Sequence, residues 1–151
     1  MKYAGGFSVA GVNTANTPYV NLKAGGDRTQ LLQLNIQIET APSTAPIFSL
    51  ERMNAVGTGA ITLAANGPFD NVDSAALTTI EVLWATLRPT RLGTPVNLIR
   101  SMLPVTIGGQ LIFDFTNRPI IIPASGGLML VNLNASGATL GQFGGNFIWD
   151  E

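Results

Sequence analysis

The chain has 151 residues, with eight Lys and Arg, nine Asp and Glu, no His and no Cys. That composition excludes disulfides, thiolate chemistry, Cys metal sites and every His-based triad or Cys–His pair. A net charge of −1 supplies no basic field for nucleic acid or an anionic membrane, and no apolar run approaches the roughly 18 residues of a membrane span.

Only 11% of the residues are charged, where about 25% is usual in soluble domains. Lysine stands only at Lys2 and Lys23, and the other cations are arginines. Protein interfaces are depleted in Lys and Glu and favour Arg, so the deficit points to a subunit of an assembly. A surface of Thr, Asn, Ser and Gln is the other account of it. Residues 1–11 lack the charged and long apolar regions of a signal peptide.

In chain order, Tyr3–Val9 reads as a short strand and Asn13–Pro18 as a polar turn. Tyr19–Lys23 is a strand closed by Gly25, Gly26 and Asp27. Leu32–Glu39 has the clearest period of two. Leu32, Leu34, Ile36 and Ile38 point one way, and Gln33, Asn35, Gln37 and Glu39 the other. The second face is mostly amide, which suits contact with another protein or an ordinary solvated sheet face.

The prolines of Ala41–Pro46 mark a loop. Ile47–Met53 and Ala60–Ala64 are further strands, followed by an Asn66-Gly67-Pro68 turn. A helix competes after Asp70, but Thr78, Thr79, Ile80 and Val82 are β-branched and favour a pleat. Thr78–Thr86 is therefore expected to be a strand with Ile80, Val82 and Trp84 on one face. Arg88–Pro95 is a loop, and Val96–Leu103 a strand stopped by Pro104.

Gln110–Leu133 carries the strongest apolar signal. Leu111, Phe113 and Phe115 share a face; Ile120, Ile121 and Ile122 lie between Pro119 and Pro123; Gly126-Gly127 leads into Leu128–Leu133. Three consecutive isoleucines cannot all point to one side of a strand, so at least one must meet a second layer or a neighbouring subunit. Read as a hairpin, this stretch is the expected centre of an oligomer. Leu140–Asp150 ends the pattern, with Phe147 and Trp149 on one face. Roughly nine or ten short strands in one domain, residues 1–151, give an all-β fold, a jelly-roll-like antiparallel β-sandwich.

No nucleophile elbow or phosphate loop occurs, and an enzyme is not expected. Asp70 and Asp73 could donate oxygens to Ca²⁺, although Asx residues in loops are more often turn formers; no other metal or cofactor is implied. Tyr3, Tyr19, Trp84 and Trp149 are the aromatics available for stacking on a glycan. Asn134-Ala135-Ser136 matches a glycosylation sequon and reads equally as a turn. Arg88, Arg91 and Arg100 cluster within a short span. Arginine pairs with carboxylates in interfaces, so these residues either meet Asp150 and Glu151 of a neighbour or lie in a solvated loop.

The segments LPVTIGGQLIFDF, RPIIIPASGGLMLVNL and NFIWDE, spanning Leu103–Glu151, resemble small all-β virion structural proteins of tailed bacteriophages, closest to capsid decoration or cement proteins. The resemblance implies a homotrimer on the outer capsid, made in the host cytoplasm. Its partner would be the major capsid protein, with no nucleic acid or membrane. It carries a scaffold and no functional residue. A receptor- or glycan-binding sandwich of a head or tail fibre, or a minor tail or baseplate component, is the alternative.

Overall fold

A computed structural model describes residues 1–11, 14–63, 67–68, 74–94 and 96–151. In chain order they form β1 (Lys2–Ala10), β2 (Pro18–Lys23), β3 (Thr29–Thr40), β4 (Ile47–Ala55), β5 (Ile61–Leu63), β6 (Gly67–Pro68), β7 (Thr79–Val82), β8 (Thr90–Arg91), β9 (Asn97–Met102), β10 (Gln110–Asp114), β11 (Ile120–Ile122), β12 (Gly127–Asn132) and β13 (Gln142–Asp150). Strands β5, β6, β8 and β11 are only two or three residues long.

All strands pair antiparallel in two sheets. The first has the order β10-β3-β13-β1-β6, with β11 following β10 along the same edge of β3. The second has the order β5-β7-β2-β12-β4, with β8 and β9 sharing the far edge of β4. The inner faces meet in one hydrophobic cluster. Tyr19 of the second sheet meets Phe143 of the first edge-on at 4.6 Å between ring centroids, and Phe48 meets Phe113 in the same way at 6.3 Å. Such aromatic pairs add about 0.5–1.5 kcal/mol beyond area burial.

The chain's surface is 7180 Å², close to the roughly 7,000 Å² expected of a compact monomer of this mass.

Alternation explains most of the strand faces. In β1, Tyr3, Phe7 and Val9 are buried while Lys2, Gly6, Ser8 and Ala10 face out. In β3 the alternation slips. Consecutive Ile148 and Trp149 of β13 pair with Gln33 and Leu31, so Leu32 is the extra, bulged residue of β3; Leu31 enters the core and Leu32, expected there, is only half-buried. An unpaired extra residue changes which parity faces inward.

The expected strand Thr78–Thr86 ends at Val82. Leu83 has φ 51°, outside the extended region, and the chain turns over the back of the second sheet. Ile80 and Val82 remain in the core, whereas Trp84 leaves that face and packs on Gly57. A Cβ at Gly57 would stand 2.5 Å from the Trp84 ring.

Gln110–Leu133 is not a hairpin. β10 and β11 belong to the first sheet and β12 to the second, so the chain crosses between layers at residues 123–126. This crossing accommodates the isoleucines. Ile122 is fully buried, Ile120 packs against the core, and Ile121 points outward. Residues 41–46, 103–109 and 133–141 gather at one end of the sheets, tied by bonds such as Leu103 N to Pro46 O at 2.9 Å and Ser43 N to Thr139 O at 3.1 Å.

Candidate interaction surfaces

The outer face of the second sheet is closed by its own chain. Register places Glu81, Asn21, Met129 and Glu51 in one row across β7, β2, β12 and β4, and all four are buried. Residues 83–91 lie over this row. Arg91 forks onto Glu51, with Nε and Nη2 each donating at 2.8 Å, and its Nη1 also donates to Asn16 Oδ1. Ser49 donates to the same Glu51 carboxylate. Lys23 Nζ donates to Glu81 Oε1 at 2.9 Å, and Asn21 Nδ2 to Glu81 Oε2 at 3.3 Å.

Buried charges must be paired and hydrogen-bonded to be tolerated, and here each carboxylate holds a cation and a neutral donor. The Arg91–Glu51 half fastens residues 83–91 to the sheet, and the Lys23–Glu81 half ties β2 to β7. Arg88 completes the fastening. Its Nη1 donates to Pro18 O at 2.8 Å, and its guanidinium lies 5.8 Å from the Trp84 ring centroid, within cation–π range.

The outer face of the first sheet is open and uncharged at its centre. One row across β1, β13, β3 and β10 is Gly6, Asn146, Asn35 and Ile112; the next is Ala4, Ile148, Gln33 and Asp114; a third is Ser8, Gly144, Gln37 and Gln110. Lys2, Asp150 and Asp114 sit at the rim, and the Glu39 carboxylate reaches over Gly144 to accept from Ser8 Oγ at 2.5 Å. Gly6, Ser8, Gln37, Gln110 and Ile112 are exposed. Asn35 and Asn146 stand opposite each other, and each has a side-chain oxygen screened from solvent with no hydrogen-bond partner. An acceptor left in that state costs free energy until a donor reaches it. Asp114 accepts from the Thr116 hydroxyl and backbone amide, at 2.6 and 2.8 Å, which holds its carboxyl below the usual range.

Most of the expected site residues have partners inside the chain. Arg88 and Arg91 belong to the closed network. Arg100 is exposed on β9. Asp150 lies 2.5 Å from the Met1 ammonium. Glu151 accepts from Leu77 N at 2.7 Å and Thr78 N at 3.0 Å. The structure thus brings no arginine of this cluster to Asp150 or Glu151 within one subunit. Ile121 is on the open face, at its edge, while Ile120 and Ile122 serve the core. Asp70 and Asp73 lie outside the described residues.

Tyr3, Tyr19, Trp84 and Trp149 are all buried, so none offers a glycan a stacking platform. Burial without a hydrogen-bond partner pushes the Tyr19 phenol pKa well up. Asn134 is buried as well, accepting from Ile47 N at 2.6 Å and donating to Ala45 O at 2.9 Å, so its sequon serves as a structural turn. The cleft lined by Tyr19, Ile36, Phe48, Leu103, Leu130 and Phe143 encloses only about 10 Å³, room for a single water at most.

The alternation of β3 made half of the open face legible. Its other half escaped notice because Gly6, Gly144 and Asn146 carry no apolar period; their signal was the lack of charge in two strands that flank β3 or its neighbour. No known protein family, no curated protein and no solved structure matches the chain.

Proposed function

We propose that this chain is a virion structural protein of a tailed phage, a capsid decoration subunit that works through protein–protein contact and performs no chemistry. The observation that carries the reading is the open face of the first sheet, an uncharged field of amides, small residues and scattered isoleucines. Such a surface suits a packed, hydrogen-bonded protein interface, whose core is depleted in charge. Standard interfaces bury about 1,600 Å² in total, about half of it from each partner.

The strand order supports the same reading. Following the chain, β1, β3, β10 and β13 fall in the first sheet and β2, β4, β9 and β12 in the second. With the orders β10-β3-β13-β1 and β2-β12-β4-β9, we read this as a jelly roll, with residues 56–96 inserted between β4 and β9. Viral capsid domains are among the proteins built this way, beside lectins and cupins. The absence of His disfavours the cupin use, and the burial of every Tyr and Trp disfavours a stacking lectin. The partner is the major capsid protein, and the chain sits on the outside of the head.

Counting the chain in purified particles tests this. The expected result is a fixed ratio to the major capsid protein, with the chain accessible to protease or antibody on intact heads. Absence from particles, or a few copies confined to tails, would overturn the decoration reading.

A further inference from the structure

Glu39 brings a carboxylate onto the open face of the first sheet. It stands on β3 where Gln142 and Phe143 of β13 pair irregularly, and it is half-buried. Its carboxylate lies over Gly144, where an added Cβ would stand 2.1 Å from Oε1; the glycine leaves the space that the acid fills. Gln142 Nε2 donates to Ser8 Oγ at 2.8 Å, and Ser8 Oγ donates to Glu39 Oε2 at 2.5 Å. This relay from β13 through β1 to β3 holds the carboxylate in place and engages one of its oxygens.

No cation of the chain comes to it. Lys23 and Arg91 are held in ion pairs with Glu81 and Glu51, and Arg52 and Arg88 donate to the carbonyls of Ile121 and Pro18. Arg100 lies on β9 of the second sheet. Arg28 and Arg118 lie toward the other end of β3, beside the residues that pair with β11. Lys2 stands at the far end of β1 from Ser8, roughly 20 Å away at the usual strand rise. Asp114 also lacks a cation, but it is exposed at the rim, where water serves it.

We infer that Glu39 anchors this face to its partner and that the partner supplies an arginine to it. The inference rests on the decoration reading, because it is the approach of the capsid that strips water from the carboxylate. A carboxylate covered without a counter-ion is costly, and this chain has none to give. Among the described residues no three acidic side chains gather to hold a metal ion instead. Arginine suits the place better than lysine. Its guanidinium carries five donors in a fixed fork. Two can meet the carboxylate, and the others remain for the exposed amides of Gln37 and Gln110, which share a row with Gly144.

The test titrates heads stripped of the chain with wild type, Glu39→Gln and Asp114→Asn at low and high salt. Glutamine still accepts from Ser8, so the melting temperature of Glu39→Gln should match wild type. Its affinity for the heads should fall by more than roughly 30-fold and lose most of its salt dependence, while Asp114→Asn loses far less. Blocking arginines on the heads with a dicarbonyl reagent should abolish wild-type binding, and acetylating their lysines should not. Equal binding by wild type and Glu39→Gln, or equal losses in the two variants, would overturn the anchor and leave the decoration reading standing. Binding that survives arginine blocking but not lysine acetylation would overturn the arginine. Heads that take up no wild-type chain would overturn both the anchor and the decoration reading.

Discussion

Across the second sheet, Glu81, Asn21, Met129 and Glu51 stand in one row and are sealed beneath residues 83–91. Across the first, Gly6, Asn146, Asn35 and Ile112 stand in an equivalent row with no segment of the described chain covering them. The sealed face buries ion pairs at its centre, whereas the open face has no ion pair there and keeps its charges to the rim and to Glu39 over Gly144. Two of the nine acids and two of the eight cations are spent on holding β7 to β2 and Arg91 to β4. The difference teaches where to look for partners. The two buried ion pairs mark a surface already occupied by the protein's own chain, and the amide field marks a surface left for others.

Removing one member of the sealed network should have the largest effect. Arg91→Met leaves Glu51 buried without its cation, and an expected loss of about 3–5 kcal/mol should appear in urea unfolding. The double variant Arg91→Met with Glu51→Leu should recover most of it, because an apolar pair of similar volume avoids the desolvation of both charges. A single variant as stable as wild type would show that the Arg91–Glu51 pair does not fasten residues 83–91 to the sheet.

Between the two faces, Tyr19→Phe removes a buried hydroxyl that has no partner, and a change of about 0–1 kcal/mol in the stabilising direction is expected. The sign of its pH dependence follows from the raised pKa. The folded state keeps the phenol protonated, so stability is complete below the ordinary tyrosine value of about 10 and declines as pH rises above it. Unfolding curves from neutral to alkaline pH should show a shallower alkaline decline in Tyr19→Phe than in wild type.

On the open face, Asn146→Lys should change stability by less than about 0.5 kcal/mol, as thermal melts can verify, because its neighbours Gly6 and Asn35 leave the side chain room to reach solvent. The smallest effect belongs to the rim. Thr116→Val removes one of the two donors to Asp114, so the Asp114 pKa should move up toward the usual carboxylate range in an NMR titration. The depressed value means that this contact acts above the unfolded pKa and fades as pH falls through the folded one.

The sequence made the all-β class and most inward faces legible, because Tyr3–Val9, Leu34–Ile38 and Phe147–Trp149 keep a period of two. It misplaced Leu32, since a bulge depends on the partner strand and leaves no local mark. Trp84 was misplaced because β-branched residues favour extending the strand, whereas Leu83 turns the chain away. Tertiary pairing also decided the arginines. Arg91 reads as an interface residue until β4 brings Glu51 beneath it from forty positions away. Which strands lie at an edge is a property of the sheet order alone.

The most direct measurement is binding of purified chain to heads stripped of it, wild type beside Asn146→Lys. Wild type should saturate the heads at a fixed ratio, and the variant, folded with the same melting temperature, should fail to bind. Equal binding by both would contradict the assignment of the open face to the capsid.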